Sequence, residues 1–119
     1  YDENYEKALE YFEKYVILKQ EILDKNPALE SLTLISLVYK QIGKEIDVNE
    51  INRLIDKADE IGYATYFHLF KLFDDFQYLK KAHEKVQERA EKIEDRLKEK
   101  FFGYPIPRQI IDYHNSLNI

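Results

Sequence analysis

The 119-residue chain has no cysteine, methionine or tryptophan, and only three glycines and three prolines. Without cysteine it has no disulfide and no thiolate ligand for a metal ion. No apolar run approaches the roughly 18 residues that a membrane-spanning helix needs. No basic stretch followed by an apolar one marks a signal peptide. We therefore expect a soluble, cytoplasmic protein, and the missing methionine at position 1 suggests a fragment of a longer chain.

The charge balance bears on the class of partner. The net charge of −5 argues against nucleic acid, because binding to phosphates needs a basic surface that releases counterions. No membrane-spanning pattern is present either, so neither nucleic acid nor a membrane is the expected partner.

Apolar residues recur at steps of three and four along the chain, which predicts an all-α fold. Glycine, proline and capping residues fall between the predicted helices. Asp47 with Glu50 three residues later predicts a capping box, and Asp75 predicts another helix start. Pro105 and Pro107 predict a loop, because each removes a backbone donor. The predicted helices cover 2–24, 27–41, 48–61, 63–74, 76–100 and 108–117.

Two of these helices have similar sequences. NYEKALEYFEKY near the start and QYLKKAHEKVQER near residue 80 align at an offset of 74 residues, with Ala8 on Ala82 and Phe12 on Val86. The offset equals about two units of a helical-hairpin repeat, so the chain between them is predicted to hold one degenerate unit. A small alanine at the matched position predicts close approach of two helices there.

These motifs resemble those of the tetratricopeptide-repeat family, in which an alanine on the second helix of each hairpin faces an aromatic, a leucine and a small residue on the first. The resemblance implies antiparallel hairpins stacked as a right-handed superhelix with a long C-terminal capping helix. It covers nearly the whole chain up to Arg89. Residues placed on the inward side of first helices are Ile35, Val38, Tyr39 and Ile42 in the middle unit and Tyr66, Leu69, Phe70 and Phe73 in the next.

The resemblance divides a single domain, 1–119, into four parts. Residues 1–25 are the second helix of a truncated repeat, and 26–62 form a degenerate repeat. Residues 63–100 form a repeat with an extended second helix, and 101–119 a proline loop and closing helix. From residue 79 on, the sequence also looks like the end of repeat arrays in large bacterial regulators such as nucleotide cyclases and signal-transducing ATPases. That similarity implies a role in signalling.

Family members bind proteins or peptides in a concave groove, so we expect a protein-interaction or regulatory scaffold module without enzymatic activity. Lysines in the groove would suit an acidic peptide. The resemblance places these residues in the groove: Thr33, Ser36, Lys40, Lys44, Ala64, Phe67, His68, Lys71 and Asp75.

Three further features could form a metal site, an acid–base pair or a ligand pocket. HEKVQ lacks the second histidine of a zinc motif, so no metal or cofactor is expected. Asp74 and Asp75 resemble a helix-capping turn more than an acid–base pair. The aromatic residues of 63–78 are expected in the core, with a ligand pocket as the alternative and Phe67 as the residue beside the main stripe.

Self-association remains an alternative function. The long predicted helix over 76–100 has an apolar stripe that would serve a coiled-coil dimer, although its step of about 3.7 residues fits a packed helix better. The helix over 2–24 also has a wide apolar stripe. Without a preceding helix, a second copy of the chain is expected to cover it.

Overall fold

The structure, a computed structural model, describes Lys7, Glu10 and residues 26–117. Residues 26–117 form six α-helices and no strand, which confirms the predicted all-α class. Most of the predicted helix over 2–24, including Ala8, lies outside the described residues. Lys7 and Glu10 are both helical and exposed. The six helices are α1 Pro27–Ile42, α2 Val48–Lys57, α3 Tyr63–Phe73, α4 Phe76–Lys92, α5 Asp95–Gly103 and α6 Pro105–Ser116.

Local capping chemistry sets most of the helix ends. Pro27 opens α1, and Gly43 closes it with a φ of 75°, a left-handed conformation that glycine adopts without strain. The Asp47 side chain accepts a hydrogen bond from the Glu50 N–H at 3.0 Å, as predicted for the start of α2. The Glu50 carboxylate pairs with Arg53 instead of completing the capping box.

Three predicted boundaries are wrong. The helix predicted over 48–61 is α2, which ends earlier, at Lys57, and Gly62 is the N-cap residue of α3. The helix predicted over 76–100 is two helices, because Ile93 and Glu94 adopt extended backbone conformations between α4 and α5. The prolines belong to the first turn of α6, where backbone N–H groups have no intrahelical acceptor and their loss is tolerated.

α3 is the central helix, and its two sides belong to different cores. Tyr63, Phe67 and Phe70 pack with α4, α5 and α6, whereas Leu69 and Leu72 pack with α1 and α2. Ala82 is fully buried on α4 in the first of these cores, as the matched-alanine position predicts. We call α3–α6 the body and α1–α2 the N-terminal layer.

The break at Ile93 has a packing consequence. A straight helix rises about 1.5 Å per residue, so an unbroken one would hold Leu79 and Phe101 about 33 Å apart. Because the chain turns at Ile93, Leu97 and Phe101 join the same core as Leu79. The Phe101 ring meets the Tyr63 ring edge-on, with centroids 5.8 Å apart.

Candidate interaction surfaces

Two of the α1 residues predicted to line a groove, Thr33 and Ser36, lie inside the protein. Thr33 and Ser36 are fully buried on the side of α1 that packs against α2 and α3. The Thr33 hydroxyl donates to the Leu29 carbonyl oxygen at 2.7 Å, so its polar atom is satisfied within the helix. Neither side chain is available to a partner in this arrangement.

The opposite side of α1 is apolar and exposed. Five large side chains there are between 38% and 59% exposed, so the prediction that Ile35, Val38, Tyr39 and Ile42 face inward is wrong. At 3.6 residues per turn, they lie across the helix from Thr33 and Ser36. We call this surface the outer face of α1, and it consists of Leu34, Ile35, Val38, Tyr39 and Ile42.

There is a physical reason why the side of α1 predicted to be buried is exposed. α1 carries apolar residues around most of its circumference, so periodicity identifies a helix but does not select the side that is buried. Small Thr33 and Ser36 allow close approach to the neighbouring helices, whereas the bulkier residues fit outside. The sequence signal for the outer face was this excess of apolar residues over what one buried side requires.

Lys40 joins the N-terminal layer to the body. Its Nζ donates to the carbonyl oxygens of Lys71 at 2.9 Å and Leu72 at 3.0 Å. It also pairs with the Asp74 carboxylate at 3.3 Å. A cation at a helix C-terminus satisfies carbonyls that have no intrahelical partner. The Lys40 ammonium group therefore binds the C-terminal end of α3 and does not line a groove.

The other two predicted lysines do not line up with Lys40. Lys44 Nζ lies 5.6 Å from the centroid of the Tyr39 ring, at the edge of the outer face. Lys71 Nζ lies 4.6 Å from the centroid of the Phe67 ring on α3. The structure therefore does not bring the three lysines into one cationic stripe.

The remaining predicted groove residues have separate environments. Phe67 is 1% exposed and belongs to the core, not to a surface beside it. His68 is half-buried, and burial followed by repulsion from Lys71 lowers its pKa below 6.5. Asp75 accepts a hydrogen bond from the Gln77 N–H at 3.0 Å and caps α4. Asp74, with a φ of 54°, ends α3, so the aspartate pair forms the predicted capping turn.

One narrow strip of α3 remains open. α1 covers Leu69 and Leu72, and α6 covers Phe67 and Phe70, which leaves His68 and Lys71 between them, while Ala64 packs against the core of the body. Across the strip, Glu30 of α1 accepts a hydrogen bond from the Thr65 hydroxyl at 3.3 Å. The strip thus contains His68, whose pKa is lowered by burial and by Lys71, while the Glu30 carboxylate opposes that shift.

The predicted aromatic cluster is mainly core, with an exposed margin. Phe70 contacts the Phe76 ring at 5.7 Å and the Tyr113 ring at 5.8 Å between centroids. Phe76 and Tyr113 are about half exposed, whereas Phe70 is buried. These rings pack at the end of the core between α3, α4 and α6.

A pair of histidines joins α4 to α6. The His83 and His114 rings are stacked, with centroids 3.7 Å apart and planes 9° from parallel. Burial, then the neighbouring His114, lowers the pKa of His83, while Glu84 opposes the shift. Sequence spacing gave no signal for this pair, because the two residues are 31 positions apart and meet only through helix packing.

Among the described residues, no three histidine, aspartate or glutamate side chains cluster as metal ligands. None of the helices described in 26–117 has both the length and the apolar character required to cross a bilayer.

In comparisons with known proteins, no family model matches the chain, and no curated protein or solved structure matches it.

Proposed function

We propose that this chain is a protein-interaction module that binds an amphipathic helix on the outer face of α1. The observation that carries the proposal is the exposure of five large apolar side chains on one side of one helix. Contiguous apolar surface of this kind is uncommon on soluble monomers and marks interaction sites. A helix that is apolar all round is expected to be covered all round.

The geometry of the outer face favours a helix as the partner. Leu34, Val38 and Ile42 follow one another at steps of four, with Ile35 and Tyr39 beside them, which forms a ridge along the axis of α1. Ridges of this kind fit the grooves of a second helix. α1 offers no free backbone edge that a strand could extend, because its N–H and C=O groups bond within the helix.

The tetratricopeptide-like architecture is part of the same proposal. In a stack of helical hairpins, each unit contacts its neighbours, and an end unit exposes an apolar side until another element covers it. α1 has α2 and α3 on one side and its outer face on the other, which supports an edge position in such a stack. We also propose that the module acts as a scaffold in signalling.

The acidic-peptide groove has weaker support than the outer face. Lys40 bonds to the end of α3, Lys44 lies at the edge of the outer face, and Lys71 lies over the Phe67 ring. Self-association through the predicted long helix also has less support. Its residues Leu79, Ala82, Val86 and Ala90 are buried against the chain's own helices.

Affinity capture with matched variants tests the proposal. Val38→Asp places a charge at the centre of the outer face, and Asn52→Asp places the same charge on the exposed side of α2. The chain and both variants are used to capture proteins from cell extract, and contacts are mapped with a photoreactive amino acid at Leu34.

The expected result is a protein that cross-links through an amphipathic helix, is lost with Val38→Asp and is retained with Asn52→Asp. The burial of an unpaired carboxylate explains that loss. Equal capture by the two variants would contradict the proposed function.

A further inference from the structure

We propose that His83 and His114 form a binding site for a late first-row divalent metal ion such as Zn²⁺, with water completing its coordination. The two ligands belong to α4 and α6 of the body, so the site is separate from the outer face of α1. The inference goes beyond the proposed function and does not depend on it.

The observation that carries the proposal is the contact between the two rings. Their centroids are 3.7 Å apart and their planes are 9° from parallel, so imidazoles from two helices lie within reach of one ion. Imidazole is the commonest side-chain ligand for metals of this class. The segment HEKVQ supplies one histidine on α4, and helix packing brings the second from α6.

Only a small movement of the rings is needed for both to bind one ion. A tetrahedral ion with metal–nitrogen distances of about 2.0–2.1 Å holds two imidazole centroids about 5 Å apart. The stacked centroids are 3.7 Å apart, so each ring moves outward by less than about 1 Å. His83 and His114 are both only partly buried, which leaves the rings room to rotate on the solvent side.

The helices that carry the two ligands are held in place by the core. Ala82 and Val86, on either side of His83 in α4, are fully buried, as is Ile110 one turn before His114 in α6. Ligands on packed helices keep their positions more precisely than ligands on loops. The backbone of the site is therefore formed before an ion arrives.

The charge of the pair also suits a cation. A metal ion binds neutral imidazole, and burial, followed by the neighbouring His114, lowers the pKa of His83 and favours its neutral form. Glu84 acts in the opposite direction on that pKa, because its carboxylate places a negative charge near His83. The same negative charge attracts a bound cation.

Two protein ligands make an open site. Within 26–117, no group of three histidine, aspartate or glutamate side chains is placed to hold a metal ion. Water therefore takes the remaining positions, and the ion exchanges more readily than one held by four protein ligands. While bound, the ion links α4 to α6, the helix that closes over the body.

Metal titration with matched variants tests the site. The chain is freed of metal with a chelator and titrated with Zn²⁺ by calorimetry, and with Co²⁺, whose visible absorption reports coordination geometry. His83→Gln and His114→Gln each remove one ligand. His68→Gln, the control, removes a partly buried histidine that is outside the pair. Circular dichroism checks that every variant keeps its helix content.

We expect one Zn²⁺ per chain in the parent and in His68→Gln. Binding should weaken by roughly tenfold or more in both His83→Gln and His114→Gln. Unchanged binding in either of these two variants would overturn the inference, as would the absence of binding to the parent chain. An equal loss of binding in His68→Gln would also overturn it.

Hydrogen exchange of the parent chain gives a second readout that needs no variant. Zn²⁺ is expected to slow exchange of the α6 amides by roughly tenfold, because the ion ties α6 to α4. Bound Zn²⁺ that leaves α6 exchange unchanged would place the ion elsewhere and contradict the site. Val38→Asp, on the outer face of α1, should bind Zn²⁺ as the parent does, so the metal site and the proposed function are tested separately.

Discussion

In the body formed by α3 to α6, apolar side chains converge on one core, whereas α1 in the N-terminal layer leaves about half of its apolar side chains in solvent. Phe67, Phe101 and Ile110 of the body are no more than 1% exposed. Ile35, Val38 and Ile42 of α1 are about half exposed. α1 therefore has more apolar surface than α2 and α3 cover.

The two regions also differ in how they are joined. Within the body, α3 and α4 form an antiparallel pair linked by the Asp74–Asp75 turn, and α6 closes over both. The N-terminal layer meets the body through the Leu29, Leu69 and Leu72 cluster and through Lys40. Substitutions therefore have different consequences in the core of the body, at the junction and at the histidine contact.

The largest expected effect comes from breaking the core of the body with Phe101→Ala. Phe101 is fully buried against Tyr63, so its loss leaves a cavity and should lower the free energy of unfolding by about 3–5 kcal/mol. Phe76→Ala removes the same atoms from a ring that is about half exposed and should cost about 1 kcal/mol or less. Denaturant unfolding of both variants measures the difference, and equal losses would mean that the body is not centred on Phe101.

A smaller effect is expected at the junction between the two regions. Lys40→Met keeps much of the aliphatic length but removes the donor to the Lys71 and Leu72 carbonyl oxygens. The expected loss in the free energy of unfolding is about 0.5–1.5 kcal/mol, since these bonds are partly solvated. Lys80→Met, on an exposed part of α4, is the control and should change stability by less than about 0.5 kcal/mol. If the two variants are equally stable, the lysine does not join the layer to the body.

The smallest expected effect is a pH dependence from the histidine pair that joins α4 to α6. The pKa of His83 is lower in the folded chain, so the unfolded chain binds more protons as the pH falls. The contribution of neutral His83 to stability is therefore complete above pH 6.5, the ordinary histidine value, and is lost as the pH falls toward the lower folded pKa.

Unfolding free energies at several values of pH between 8 and 5 test this sign. His114→Gln removes one cause of the lowered pKa and should flatten the dependence that His83 contributes. His68→Gln leaves the stacked pair intact and serves as the control for the separate, lowered pKa of His68. An unchanged pH dependence in His114→Gln would show that His114 does not contribute to the pH dependence of stability.

Predictions from sequence were most accurate where one hydrogen bond or one backbone conformation decides the outcome. Asp47 and Asp75 cap helices as expected, and Gly43 ends α1. Each of these features depends on atoms within a few residues of one another. The buried position of Ala82 was also correct, because a methyl group between charged residues leaves few alternatives at a close helix contact.

Predictions failed where a residue has more than one compatible environment. Lysine on a helix surface suits a groove as well as the end of another helix, and only the position of α3 determined that Lys40 bonds there. The run from Lys92 to Lys100 contains no glycine or proline, so nothing local predicts the turn at Ile93. That turn is favoured because it brings Leu97 and Phe101 back to the core.

The sequence by itself determined that the described chain is helical and where most of its helices start and stop, since propensity, capping and periodicity act over a few residues. The tertiary structure decided which side of α1 is buried, where the predicted long helix turns and which histidines meet. These outcomes depend on competition between several apolar surfaces for the same neighbours. In α1, two sides are both apolar enough to be buried, and the small Thr33 and Ser36 gave the closer fit to α2 and α3.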